Sequence, residues 1–288
     1  MSPLPRRTHI LLVDNGSLRA ESFLSLRAMA SAVSAATGVA VVPASARFAD
    51  RVAVEELGGT PGDTLATAVA RALGGPPARH HFLILPAFLG PADTLRALVP
   101  EFVSQQRGVT YAIAAPLVTG PGDARVAQAL LANLEEAFAT HGLAPRDAAV
   151  VVCDHGSPHA DVAAVRGYVA SHLARQLAAH PTLAALRAPL AQASMERRDG
   201  PDYAFNDPLL ATLLRTPPFN EGNVVLGLLF LSPGAHAGVG GDIDEICAEA
   251  VAEAAQAGRA LRVYRSPLLG PRVTDILADR LREVMPSP

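Results

Sequence analysis

The chain contains no lysine: all 24 cationic side chains are arginine, against 27 acidic ones. That absence excludes Schiff-base chemistry and any phosphate-loop lysine. Cysteine is scarce as well. Cys153 and Cys247 are the only two, each in an apolar setting, so neither a disulfide framework nor a thiolate metal knuckle is expected. Long apolar runs are missing. The run over 10–13 is cut off by Asp14 and Asn15, too short for a signal peptide or a membrane span, and a soluble cytoplasmic protein is the plain expectation. A net charge of −3 with no basic cluster along the sequence argues against a nucleic-acid partner. Several catalytic signatures are absent too. No Gly-x-Ser-x-Gly elbow surrounds Ser157, no Walker loop occurs, Gly238-Val239-Gly240-Gly241 does not fit a dinucleotide fingerprint, and there is no His-Glu-x-x-His. No nucleotide cofactor is expected.

What the chain does contain is an internal repeat. Leu11-Leu-Val-Asp-Asn-Gly-Ser17 returns as Val151-Val-Cys-Asp-His-Gly-Ser157, and Phe88-Leu-Gly-Pro-Ala-Asp-Thr94 returns as Phe230-Leu-Ser-Pro-Gly-Ala-His236. A strand–loop frame was therefore duplicated, and only the second copy carries histidines where the first has Asn15 and Thr94. Imidazole binds divalent metals and accepts protons near neutral pH, whereas an amide and a hydroxyl do neither well. The functional site is expected in the second copy.

Short apolar runs alternate with stretches of helical period in both halves. Candidate strands fall at 9–13, 39–42, 82–85 and 111–114, then at 148–153, 190–194, 224–231 and 261–264. Continuous apolar strands separated by helices imply parallel sheets covered on both faces. The expected fold is α/β: two tandem doubly wound, flavodoxin-like modules, 1–143 and 144–288, with a cleft between them. Gly142 and Pro145 mark the boundary. In such sheets ligands bind beyond the carboxyl ends of the strands, where Asn15, Thr94, His155 and His236 all fall.

His155 precedes Gly156, which permits a sharp turn, and Ser157, which can cap the following helix. A lone histidine there would more often be a strand-end residue bonded to backbone. His236 opens a glycine-rich loop that ends at Asp242, with Glu245 three residues on, a pattern like a capping box. Glu196 follows the second strand of this half and can reach the same edge as a carboxylate ligand or proton carrier, or be a solvated loop charge. Arg197 and Arg198 suit bidentate pairing with ligand carboxylates, the alternative being a solvated charge run. His80 and His81 precede a strand, His159, His172 and His180 lie on a long helix, and Asp154, matched by Asp14, reads as structural.

His-Gly-Ser after the first strand and Phe-Leu-x-Pro-Gly-x-His after the third resemble the CbiX/SirB family of class II chelatases. The likeness runs over nearly the whole chain as two copies of the module, with its specific motifs at 151–157, 194–199 and 230–243. It implies a chelatase-like fold and ATP-independent insertion of a divalent metal, cobalt, iron or nickel, into sirohydrochlorin on the routes to cobalamin or sirohaem. By that resemblance His155 and His236 are the metal-binding and proton-accepting pair and Glu196 the accompanying glutamate. Arg197, Arg198 and Ser157 would face the polycarboxylate substrate. Both walls of the cleft would lie in one chain, so a monomer would suffice. The other open expectation is a non-catalytic carrier of a metal or a tetrapyrrole on the same fold.

Overall fold

The computed structural model describes residues 6–75, 79–106 and 108–285. Eight strands form two four-stranded, all-parallel sheets. The first consists of β1 (Arg6–Asp14), β2 (Val41–Ser45), β3 (Arg79–Pro86) and β4 (Val109–Ile113), in the order β2-β1-β3-β4. The second consists of β5 (Ala148–Asp154), β6 (Ala191–Ser194), β7 (Gly222–Leu228) and β8 (Leu261–Arg265), in the order β6-β5-β7-β8. All eight strands fall where the apolar runs lie, and the shared order is the flavodoxin-like one. The strand expected over 224–231 ends at Leu228 instead.

The central strands explain why a parallel sheet forms. Every residue of β5 from Ala148 to Cys153 is buried, a run that only a sheet covered on both faces can use. In the first sheet Leu11, Val13, Phe82 and Ile84 pack against Leu65 and Val69 of α2 (Leu65–Leu73) and Val103 of α3 (Val99–Ser104). In the second, Val151, Cys153, Leu226 and Leu228 meet Leu210 of α6 (Leu210–Leu213) and Ile243 and Ala250 of α7 (Asp242–Gln256).

The remaining helices divide the chain differently from the sequence halves. One compact unit comprises Met1–Leu117 and Gly270–Pro288, and the other Val118–Leu269. The contiguous modules 1–143 and 144–288 are therefore not the compact units. In the first unit α1 (Ala20–Thr37) packs against the C-terminal helix α8 (Thr274–Val284), which also covers β3. In the second unit α4 (Arg125–Thr140) packs on α5 (Ala160–Ala178) and β7. There Gly227 lets the strand approach Leu130, whose side chain lies 3.5 Å from where a β-carbon would stand. The closing helix of each sequence copy thus serves the other unit, a pairing of apolar faces that helical period alone cannot assign.

Matching backbone hydrogen bonds record the duplication. Ala46 N–H bonds to Asp14 O and Met195 N–H to Asp154 O, both at 2.8 Å. Ala87 bonds to Val13 and Leu229 to Cys153, while Leu117 bonds to Phe88 and Leu269 to Phe230. These pairs align Arg47 with Glu196, and α1 with α5 so that Leu26 aligns with Arg166.

Candidate functional site

At the carboxyl edge of the second sheet the chain turns sharply after β5. Gly156 sits at φ 90°, and a β-carbon there would fall 2.0 Å from the carbonyl oxygen of Glu196. Only glycine permits that approach. Glu196 N–H in turn bonds to His155 O at 3.1 Å, so the turn after β5 and the one after β6 are docked together. Asn206, fully buried, accepts from Ser157 N–H and donates to Ser157 O, both at 2.9 Å. The Ser157 hydroxyl accepts from His159 N–H at 3.0 Å. His159, not Ser157, is the N-cap of α5, so Ser157 shapes the turn just ahead of the helix rather than capping it.

This frame brings His155 and His236 together. Their ring centroids lie 4.5 Å apart in an edge-to-face arrangement. His155 Nδ1 is 3.0 Å from Gly156 O, an atom that can only accept, so Nδ1 carries a proton and Nε2 is the ring nitrogen turned to the site. That Nε2 lies 3.4 Å from a carboxylate oxygen of Glu196. His236 Nδ1 is 2.5 Å from Asp242 Oδ2, so its Nδ1 side is tied back to α7 and Nε2 is left on the other side of the ring. Asp242 is the first residue of α7 behind a Gly241 N-cap, so it orients His236 instead of closing a capping box with Glu245. The loop between them is lashed down by Arg265, which binds the Asp244 carboxylate and Ala237 O.

An open cavity of about 300 Å³ adjoins this pair, lined by His155, Gly156, Ser157, Pro158, Glu196, Arg197 and Arg198. Arg197 reaches Asp207 at 2.8 Å and the carbonyls of Arg198 and Gly200, so it first holds its own loop. Arg198 lies over the Tyr203 ring at 5.8 Å. The site is assembled from two imidazoles, a carboxylate and guanidinium groups on one open wall. It can ligate a cation, accept protons and receive a polyanion. Among the described residues no group of three or more His, Cys, Asp or Glu is arranged to hold a metal ion.

No protein-family model and no curated protein matches the sequence. Solved structures do. SirB from Bacillus subtilis with Fe3+ superposes with a TM-score of 0.63 at 18% identity, over 96% of this chain and 95% of that one. CbiX, described as the terminal enzyme for biosynthesis of siroheme in denitrifying bacteria, superposes with a TM-score of 0.55 at 18% identity, over 98% and 100%. The chain has the SirB and CbiX fold.

The same edge of the first sheet shows what duplication left behind. Gly16 repeats the glycine turn at φ 84°, with a β-carbon position 1.9 Å from Arg47 O. The Thr94 hydroxyl donates to Asn15 Oδ1 at 2.7 Å, so these residues face each other as the two histidines do. Arg47 occupies the place of Glu196. One copy presents two imidazoles and a carboxylate; the other, an amide, a hydroxyl and a guanidinium.

Sequence reasoning missed three supporting residues. Asn206 pins the His155 turn, and Asp242 orients His236. Arg166, 4% exposed, binds Asp154 at 2.7 Å, the Ser194 hydroxyl, and the carbonyls of Phe205 and Asn206 at 3.3 Å. Asp154 is therefore structural, as its match with Asp14 implies. An arginine one face down an alanine-rich helix carries no local signal of such a role. Of the weaker candidates, His80 and His81 lie within β3 rather than ahead of it, and only His172 is inside α5. His180 lies past the end of that helix and bonds to Glu135 at 2.9 Å. The cysteines are inert: burial raises Cys153 far above the usual thiol range and pushes Cys247 up to about 12. A larger cavity of about 400 Å³ lies between α1, β2 and α2, away from the histidines. Its arginines are occupied, Arg27 by the carbonyls of Leu57, Thr60 and Pro61, and Arg71 by Asp63.

Proposed function

We propose that the chain is a member of the CbiX/SirB group of chelatases and inserts a divalent metal, cobalt or iron, into a sirohydrochlorin-type tetrapyrrole without ATP. The observation that carries this is the His155–His236 pair, with ring centroids 4.5 Å apart and each Nδ1 tied back, in the one copy of a duplicated frame that also has Glu196. Metallation breaks two pyrrole N–H bonds, forms metal–nitrogen bonds and releases two protons. A neutral imidazole, with an unperturbed pKa of about 6.5, suits both proton acceptance and metal ligation. His155 and His236 take those roles through Nε2, with Glu196 beside His155 as carboxylate ligand or proton carrier. Arg198 and the Ser157 turn face the substrate's carboxylates, while Arg197 holds the loop that presents them. Metal and tetrapyrrole are both substrates, and two imidazoles leave open the metal positions that transfer to the macrocycle requires. The histidines do not distinguish cobalt from iron or nickel.

Purified protein, sirohydrochlorin and Co²⁺ or Fe²⁺, followed by absorbance, test the reading. Insertion above the spontaneous rate is expected, and its loss in His155→Ala and in His236→Ala. Full activity in both variants refutes it. Tight Co²⁺ or sirohydrochlorin binding with no acceleration assigns the carrier role instead.

A further inference from the structure

Between His236 and α7 the chain makes a short excursion, Ala237-Gly-Val-Gly-Gly241, and comes back to where it left. Asp242 N–H bonds to Ala235 O at 3.3 Å and Ile243 N–H to His236 O at 3.1 Å, which closes the excursion at its neck. A β-carbon on Gly241 would lie 2.3 Å from Ala235 O, so the neck requires glycine there. Gly238, Gly240 and Gly241 carry no side chain, and Val239 at the tip is 87% exposed. Such a segment has little packing to order it and much backbone freedom to lose.

The ordering contacts come from the end of β8. Arg265 binds Ala237 O and the Asp244 carboxylate through its two terminal nitrogens, and lies 3.5 Å from Gly238 O. The other oxygen of Asp244 accepts from Gly240 N–H at 2.8 Å. One guanidinium and one carboxylate thus hold Ala237, Gly238 and Gly240. The first copy provides a comparison. Ser266 N–H bonds to Leu226 O at 2.9 Å and Ala114 N–H to Ile84 O at 2.8 Å, which aligns Arg265 with Ile113. There the helical segment Thr94–Leu98 begins at Thr94 itself, with no excursion to hold, and Ile113 packs against the core of the first sheet. The loop, its arginine and the histidine at its root occur in one copy and are missing from the other.

We infer that Arg265 is a positioning residue for His236, its guanidinium fork clamping the 237–241 excursion so that the imidazole at its root keeps one orientation. Its part in metal insertion rests on the chelatase reading above; the clamp itself does not. Asp242 fixes the Nδ1 side of the ring from α7, and Arg265 fixes the loop that joins the two residues. A lysine would keep the charge but not the planar fork that spans a carboxylate and two carbonyls.

NMR of the ¹⁵N-labelled full-length protein, with the His236 ring signals assigned through His236→Gln, is the test. Arg265→Met should shift or broaden those signals while the side-chain amide of Asn206, which pins the His155 turn, stays in place. Arg265→Lys should behave as Arg265→Met. In the insertion assay kcat should fall about tenfold in both variants, with KM for sirohydrochlorin within about twofold of wild type. Circular dichroism confirms that both variants fold. Unchanged His236 signals, or equal disturbance of His236 and Asn206, make Arg265 a general structural residue and overturn the proposal. So does full wild-type behaviour in Arg265→Lys, or an unchanged kcat in Arg265→Met. The ring signals need neither metal nor tetrapyrrole, so they decide the clamp even in a wild type that inserts no metal, an outcome that counts against the chelatase reading alone.

Discussion

Asp14 and Asp154 occupy the same position in the two copies, and opposite responses to the same substitution are expected of them. Asp154 accepts from the buried guanidinium of Arg166 at 2.7 Å. At the matching place in α1 stands Leu26, fully buried, so Asp14 has no cation. One of its carboxylate oxygens, Oδ1, is shut away from solvent with no hydrogen-bond partner. Burial raises its pKa from the usual 3.8 to about 6, against the smaller opposing effect of bonds from Ser45 and the Gly16 backbone. A folded-state pKa above the unfolded one means that the native chain holds a proton the unfolded chain has released. The contribution to stability is therefore present below pH 3.8 and is lost as pH rises to about 6. Over that window the loss is roughly 3 kcal/mol, at about 1.36 kcal/mol for each pH unit.

A neutral amide at this position has no charge to bury, so Asp14→Asn should stabilise the first unit by up to about 3 kcal/mol at pH 7.5 and by almost nothing at pH 3.5. Asp154→Asn should instead destabilise the second unit by about 3 kcal/mol, because it strands a buried guanidinium. Urea unfolding of both variants and of wild type, followed at several pH values, measures this. Differences between variant and wild type cancel the other carboxylates. Among these is Asp123, where burial is outweighed by bonds from Arg125 that hold the carboxyl down at about 2, so that it acts in the opposite direction. With two compact units the comparison is of transition midpoints unit by unit rather than one global free energy. Equal destabilisation by Asp14→Asn at pH 3.5 and pH 7.5 would make Asp14 an ordinary hydrogen-bonded carboxylate and refute the uncompensated buried charge.

Gly156→Ala should abolish metal insertion while the sheet stays folded, since a β-carbon there meets Glu196 O at 2.0 Å and pushes apart the loops of His155 and Glu196; circular dichroism with the insertion assay separates the two effects. Asn206→Ala leaves Ser157 N–H and O without their buried partner and should cost about 2 kcal/mol in unfolding, with activity falling through a loosened His155 turn. Asp242→Ala should lower kcat of insertion more than it raises the KM for sirohydrochlorin, because it frees His236 to turn without touching the cavity wall. Asn15→Ala and Thr94→Ala should leave insertion within about twofold of wild type, the first losing only local turn support; damage as great as that of His155→Ala would place chemistry in both copies.

The strands and the histidine pair were legible because each has a local signature. Buried parallel strands read as unbroken apolar runs, and a duplicated motif turns single substitutions, Asn15 to His155 and Thr94 to His236, into a comparison with its own control. Glu196 was legible only as a residue after a strand; its tie to His155 comes from the backbone of the glycine turn. The packing of α4 and α8 was not legible, since an amphipathic helix declares that it buries a face but not against which sheet. Arg166 was hidden for a related reason. Nothing near residue 166 differs from the rest of an Ala/Arg-rich helix, and its partners Asp154, Ser194, Phe205 and Asn206 come from three other segments. Set beside Leu26, however, it is as informative as the histidines. The copy with the imidazoles also has a buried arginine bonded to the residue just before His155 and to the segment that pins Ser157. The copy without them has leucine in place of that arginine and leaves Asp14 without a counter-ion. Such an arrangement is tolerable only where the turn does not have to hold an imidazole in one orientation. The supporting network and the histidines therefore occur together in one copy and are both missing from the other. Restoring Asn15→His and Thr94→His alone, in a chain lacking His155 and His236, should accordingly recover almost no insertion, because Leu26 and Arg47 still stand where the second copy has Arg166 and Glu196.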